Sequence, residues 1–483
     1  MSQEEPPTCL HVFKDPNSAH YCSYIQVPGL LAEFYKGAET VDEIMLCSGL
    51  YAYALWWNLQ ENDLKALLSY AESTTPISAE WCFEAIKRAN RLVETDRIML
   101  QQGIILRSEL LRHTPQINFR FASANTSQLE AFHQVAWHTR QLEQKLGSLR
   151  LEPDAGEVLN DRLLNSLKDL ILTHRDSFST IQRDFTDLLW AVHEQPAPRV
   201  VSFEEVVPEQ KLFRHSHATM QKHHPQTLER FLHSNDELTF ITAHQTFEVW
   251  FPTVIHSIHE ATSLLRMRPA RIWEAEGLAR RIADLFYLFG RMIHIPQTMT
   301  AADYIEFRDQ LKAGSGVESY QFRAIEISAG LRDTKYRYLI NKMQLMTDDL
   351  RMLWETPSLN DAVMEVLIDR GIIDKDDEAK AIAHKLGNVL RPSGAPNPHV
   401  DIMALAEALV RFEQNVELWR VNHIAMVTRM IGRKIGTGAD TYGTFAEGTE
   451  YPTDSLPYLR NTLQYQKIFP ALWDARDFLQ GTP

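Results

Sequence analysis

The chain is 483 residues long, 44% hydrophobic and 23% charged, the profile of a soluble globular protein with room for two or three domains. Its formal net charge of −14 repels phosphate backbones and no basic patch offsets it, so nucleic acid is excluded as a partner. No apolar run approaches the roughly 18 residues that cross a bilayer, so no membrane is expected as a partner either.

The opening Met1-Ser2-Gln3-Glu4-Glu5 is acidic where a secretory leader is basic. The four cysteines, Cys9, Cys22, Cys47 and Cys82, lack metal-site spacing and lie too close to the start to form a disulfide framework. A reduced, cytoplasmic location is expected. Apolar residues recur at helical spacing through 44–71, 78–111, 126–146 and 158–192. A proline-rich linker begins at Gln195-Pro196-Ala197-Pro198 and runs to Pro208, and 199–207 is the best alternating, strand-like stretch. Helical spacing resumes through 237–265, 270–294, 333–354 and 401–431. Thr356-Pro357 predicts a helix start with Thr356 as N-cap. Arg391-Pro392-Ser393-Gly394 opens a second break. The expected class is all-α, divided into an N-terminal helical half over 1–193, a linker over 194–235 and a second half over 236–483.

The two halves resemble each other. Asp42 through Trp57 lines up at constant offset with Asp236 through Phe251. Trp81 then falls near Trp273, Phe119-Arg120 on Phe307-Arg308, and Ser127, Glu130 and Phe132 on Ser315, Glu318 and Tyr320. The copies differ where it matters chemically: Leu50 stands at the place of His244, and nothing in the first half matches 419–438.

On the helix around Phe240 and His244, the four-residue spacing places both on one face, continued by Phe247 and Phe251. An aromatic stripe with one imidazole suits a flat apolar ligand offering one polar hydrogen; an ordinary core stripe has the same pattern. Tyr304, Arg308 and Leu311 are read as one helical face, where Arg308 could fork onto a carboxylate or pair with Glu306 or Asp309. Gly314-Ser315-Gly316 ends that segment. Further on, Trp419-Arg420-Val421-Asn422-His423 lies in an amphipathic helix, and Gly436-Thr437-Gly438 follows about fourteen residues after His423.

These motifs, with Thr298-Met299-Thr300, Gln321-Phe322-Arg323, Thr356-Pro357-Ser358-Leu359 and Met430-Ile431-Gly432, resemble the tryptophan 2,3-dioxygenase family in order and spacing over roughly 236–475. The resemblance implies a helical-bundle haem dioxygenase fold, haem b with dioxygen as co-substrate, and His423 as the axial iron ligand. It implies cofactor-binding roles for Ser315, Gly316, Trp419, Arg429 and Gly436. His244 would meet the indole N–H, Phe240, Tyr304 and Leu311 would wall the indole, Arg308 would clamp the carboxylate and Thr437 would bind the amino-acid head group. The implied partners are a small aromatic amino acid and a second copy of this chain in a homodimer.

Two features depart from the family. The loop after Thr437 carries an insertion over about 439–457 before Tyr458-Leu459-Arg460, which opens the alternative of a haem monooxygenase or tailoring enzyme acting on a substituted tryptophan. A non-catalytic haem sensor is a second alternative, disfavoured by the carboxylate clamp. The other departure is the N-terminal half itself. Tyr21-Cys22-Ser23-Tyr24-Ile25 resembles the arm that reaches a neighbouring subunit's site in the family. One reading is a degenerate, haem-less copy forming a covalent pseudo-dimer, with Tyr21 and Tyr24 closing the pocket in cis; the other is an unrelated helical domain.

Overall fold

The computed structural model describes residues 25, 41–72, 79–113, 122–148, 156–193, 202–205, 235–308, 311, 316–342, 345–390, 397–432, 434, 463 and 467–479. Among them there is no strand; the fold is all-α, as the periodicity requires. The helices are α1 (Val41–Glu72), α2 (Ala79–His113), α3 (Ala122–Lys145), α4 (Gly156–His193), α5 (Asn235–Arg266), α6 (Ile272–Met292) and α7 (Ala301–Arg308). They continue as α8 (Tyr320–Ala329), α9 (Thr334–Lys342), α10 (Asp348–Glu355), α11 (Leu359–Asp369), α12 (Ala379–Leu390), α13 (Val400–Ile431) and α14 (Pro470–Asp474). No helix among the described residues is long and apolar enough to cross a membrane.

Three local expectations are corrected. The stretch 333–354 is two helices, because Thr347 Oγ1 accepts the N–H of Leu350 and starts α10 afresh. The cap after it is Ser358, not Thr356: Ser358 Oγ accepts from Asp361 N while the Asp361 carboxylate accepts from Ser358 N. That reciprocal box satisfies two backbone donors, and Thr356 instead ends α10. In the strand-like stretch, the described residues 202–205 form a turn, closed by Glu205 N donating to Ser202 O and Ser202 N donating to the Glu205 carboxylate. Helices α8, α11, α12 and α14 lie outside the apolar-periodic stretches, and only the start of α11 is signalled, by Thr356-Pro357.

The chain forms two compact units. One comprises Ser23–Trp250 with Arg291–Gln310. In it α1 packs on α2 and α3, and α4 on α2 and α3. Its core holds an aromatic ladder: Tyr53 stacks on Trp57 at 5.0 Å, Trp57 meets Phe132 at 5.0 Å, and Phe132 stacks on Phe178 at 4.9 Å. Burying each ring contributes about 2–3 kcal/mol. The first half of α5 lies on α1, where Ser48 Oγ donates to Val249 O at 2.9 Å and Gly49 faces the Trp250 ring.

The second unit contains Phe251–Gly290 and Leu311–Pro483. Its centre is α8, buried from Gln321 to Ala329. The Glu326 carboxylate accepts from Arg420 at 2.5 Å, Tyr336 OH at 2.5 Å and Arg323 at 2.9 Å. One buried carboxylate thereby ties α8, α9 and α13 together, its charge matched by two guanidinium groups. Glu413 of α13 fixes the C-terminal segment, accepting from Ile468 N, Phe469 N and Trp473 Nε1.

Candidate active site

The first unit gathers Phe240, His244, Tyr304 and Arg308. Phe240 and His244 stand one turn apart on α5 with ring centroids 4.1 Å apart. From α7, Tyr304 approaches Phe240 at 6.0 Å and Phe307 approaches it at 5.7 Å; Tyr304 meets Phe307 edge-on at 5.2 Å. Phe240, His244, Tyr304 and Arg308 are all half-buried, whereas Phe247, further along α5, and Phe307 are buried. An ordinary core stripe would be buried throughout, so the His244 end of the stripe has the exposure of a ligand-facing surface.

The His244 hydrogen bond defines its tautomer. Nδ1 lies 2.7 Å from the Phe240 carbonyl, which can only accept, so Nδ1 carries the proton and Nε2 the lone pair. Burial lowers the imidazole pKa to about 4, so the ring is neutral around pH 7. Burial also raises the Tyr304 phenol above its ordinary value, opposed by the positive charge of Arg308 nearby. The next residue after His244 is also engaged: Gln245 Nε2 donates to the carbonyl of the fully buried Ile25 at 2.8 Å.

Sequence reasoning passed over the base of this wall. Asp236, in the first turn of α5, accepts from Thr300 N at 3.3 Å and from Arg88 at 3.0 Å. Thr300 precedes α7; its Oγ1 accepts from Asp303 N at 3.0 Å and donates to the Asp303 carboxylate at 2.8 Å. The Thr300…Asp303 spacing is a legible helix-start signal. Nothing local in the sequence marks Arg88.

The expected shared face of Tyr304, Arg308 and Leu311 is corrected in one member. Helix α7 ends at Arg308, so Leu311 lies beyond it; its side chain is buried in the second unit. Gly316 opens a short 3-10 turn and is exposed. Tyr21, Tyr24, Ser315, Gly436 and Thr437 lie outside the described residues.

In the second unit, His423 sits near the end of α13, half-buried, with the Trp419 ring stacked on it at 5.7 Å and 18°. Trp419 packs in turn on Phe322 at 5.0 Å. Arg429 is exposed in the last turn, and α13 ends at Gly432, whose φ of +59° favours glycine. This donor set suits a haem. Iron held by a porphyrin needs only one side-chain ligand. An imidazole backed by an indole, with a cation two turns on, offers that ligand and a charge partner for a propionate.

A model of the tryptophan 2,3-dioxygenase family matches residues 212–369 and 395–479. A tryptophan 2,3-dioxygenase of Nocardioides sp. is 32% identical over 253 residues, 51% of this chain and 86% of the relative. One from Bradyrhizobium sp. is 31% identical over 254 residues, 50% of this chain and 84% of the relative. One from Ruegeria pomeroyi is 30% identical over 271 residues, 55% and 90% respectively. The matches leave the region ahead of residue 212 uncovered by the family model. This chain belongs to the tryptophan 2,3-dioxygenase family of oxidoreductases and carries an additional helical region at its N-terminal end.

Proposed function

We propose that this chain is a haem-dependent dioxygenase that opens the indole C2–C3 bond of L-tryptophan, adding both atoms of dioxygen to give N-formylkynurenine. The observation that carries this reading is the His244 imidazole, neutral and with Nε2 as its acceptor nitrogen. That polarity matches an indole N–H. The N–H is too weak an acid for a neutral imidazole to deprotonate, so His244 orients the ring. Phe240 and Tyr304 wall the indole, and Thr437 bonds the amino-acid head group. Arg308 takes the carboxylate with two parallel hydrogen bonds that a lysine could not form. Either charge left unpaired on burial costs about 3–5 kcal/mol, which selects an amino acid over bare indole.

His423 is the protein's ligand to the iron, with Trp419 beside it, Arg429 as a cation for a propionate, and Ser315, Gly316 and Gly436 completing the surround. Bound haem supplies the activation of dioxygen. Tyr21 and Tyr24 close the substrate pocket from within the same chain; the hydrogen bond from Gln245 to Ile25, one residue after Tyr24, supports this. The N-terminal region is read as a haem-less copy of the matched one. The loop insertion over 439–457 favours a second reading, hydroxylation of a substituted tryptophan.

Ferrous, haem-loaded protein incubated with L-tryptophan and air tests the proposal. N-formylkynurenine is expected. A hydroxylated product supports the second reading, and a normal haem spectrum without turnover overturns both.

A further inference from the structure

Arg88 is fully buried in α2 and meets three separate segments of the first unit. Its Nε and Nη2 donate to the two oxygens of Asp63 in α1 at 2.7 and 2.9 Å. Its Nη1 donates to Asp236 Oδ1 at 3.0 Å and to Thr298 Oγ1 at 3.4 Å. The planar guanidinium can make this two-sided set of bonds and an ammonium cannot. Asp63 and Asp236 are themselves buried, with side chains 1% and 2% exposed.

What the cluster holds is specific. Asp236 is one turn before Phe240 and two before His244 on α5. Its second oxygen takes the N–H of Thr300, the residue that starts α7 and so sets the rotation of Tyr304 and Arg308. Thr298 donates onward to Ile295 O at 2.7 Å, tying the turn before α7 as well. Through Asp236, then, a single cation fixes where α7 begins relative to the base of α5. The Phe240–Tyr304 and Phe240–Phe307 contacts depend on that register. Neither Arg88 nor Asp63 lies in the segments that match the family.

We propose that Arg88 is a positioning residue for the substrate wall, so that the additional N-terminal region works as a built-in scaffold for the site. This rests on the reading of Phe240, His244, Tyr304 and Arg308 as substrate contacts. Arg88 touches no substrate; it acts through Asp236 and Thr300. Displacing a positioned group by an ångström costs up to about a hundredfold in kcat/KM, a partial loosening costs less, and for groups that bind the substrate the loss falls on KM.

The test uses full-length, haem-loaded protein carrying Arg88→Lys, which keeps the charge but loses the fork, and Arg88→Met. Arg88→Lys is expected to raise KM for L-tryptophan roughly tenfold with kcat within about twofold. Backbone hydrogen exchange is expected to speed up over 236–244 and 298–308, with α3 and α4 unchanged. Arg88→Met is expected to enlarge both effects; should it fail to fold, Arg88→Lys alone decides. Unchanged KM, with or without faster exchange, overturns the proposal, as does exchange that rises evenly across the unit. If the wild type turns over no tryptophan, the functional reading has failed separately. The exchange pattern then decides whether Arg88 holds the two segments in register, a pattern confined to them supporting that and any other overturning it.

Discussion

Helices α1 and α5 are the most instructive pair in the molecule. Each spans 32 residues, and the alignment that puts Asp42 on Asp236 puts the first residue of one on the first of the other and the last on the last. Trp56 and Trp57 are buried in α1, and Trp250 and Phe251 in α5. The packing scaffold is therefore common to both. The polar positions differ: Ser48 donates to Val249 O, whereas Thr242, its counterpart, has a buried hydroxyl with no hydrogen-bond partner among the described residues. Leu50 stands at the place of His244, and α1 contains no histidine. Apolar packing tolerates such differences because it needs only shape and volume. An acceptor for one N–H needs one particular side chain.

The strongest way to break this contrast is His423→Ala. Haem stoichiometry is expected to fall to background, read from the Soret band of purified protein. Full haem retention would move the cofactor elsewhere and end the view that the family-matched region alone carries chemistry.

Next in size is Arg308→Lys, expected to raise KM for L-tryptophan by about a hundredfold or more, since the carboxylate loses its paired fork in a desolvated site. A change under threefold in steady-state KM would remove Arg308 from the site.

Asp96 sharpens the contrast from the α1 side. It is fully buried, accepts from Trp57 Nε1 at 3.0 Å and Gln60 Nε2 at 3.1 Å, and burial raises its pKa to about 7. The folded state therefore keeps a proton that the unfolded state releases near pH 4. Wild-type stability from this group is full below about pH 4 and lost as pH rises through 7. Asp96→Asn carries no such proton. Denaturant titrations are expected to move in the variant's favour, relative to wild type, by on the order of 2–4 kcal/mol between pH 4 and pH 8. A pH-independent difference would refute the buried acid.

The smallest effect is expected for His244→Ala, a loss of roughly tenfold in kcat/KM, the value of one neutral hydrogen bond. The loss should be flat between about pH 6 and 9, because burial keeps the imidazole neutral there. It should also vanish for 1-methyl-L-tryptophan, which has no indole N–H; an equal loss on that substrate would assign His244 a different role.

Much of this was legible in the sequence. The three- and four-residue apolar spacing located α1 to α6 and α13 to within a few residues. Three shorter helices were not, since α8 and α12 are recognised by burial and α11 by the Ser358–Asp361 box. The Phe240, His244, Tyr304 and Arg308 set was readable because aromatic, imidazole and guanidinium groups at helical spacing have few other joint uses. The cluster beneath it was not. Arg88 and Asp236 are 148 positions apart, and an arginine amid the charged residues of α2 looks like any solvated one.

By itself, then, the sequence determined the helical class and the longer helices and named the candidate side chains for the chemistry, because each is written in spacings of three to eight residues. Only the tertiary structure decided that His244 carries its proton on Nδ1, that α7 stops before Leu311, and that Arg88 binds α1, α5 and the start of α7 together. Those outcomes depend on which distant groups share a desolvated space, and charge pairing in such a space is a property of the packed chain.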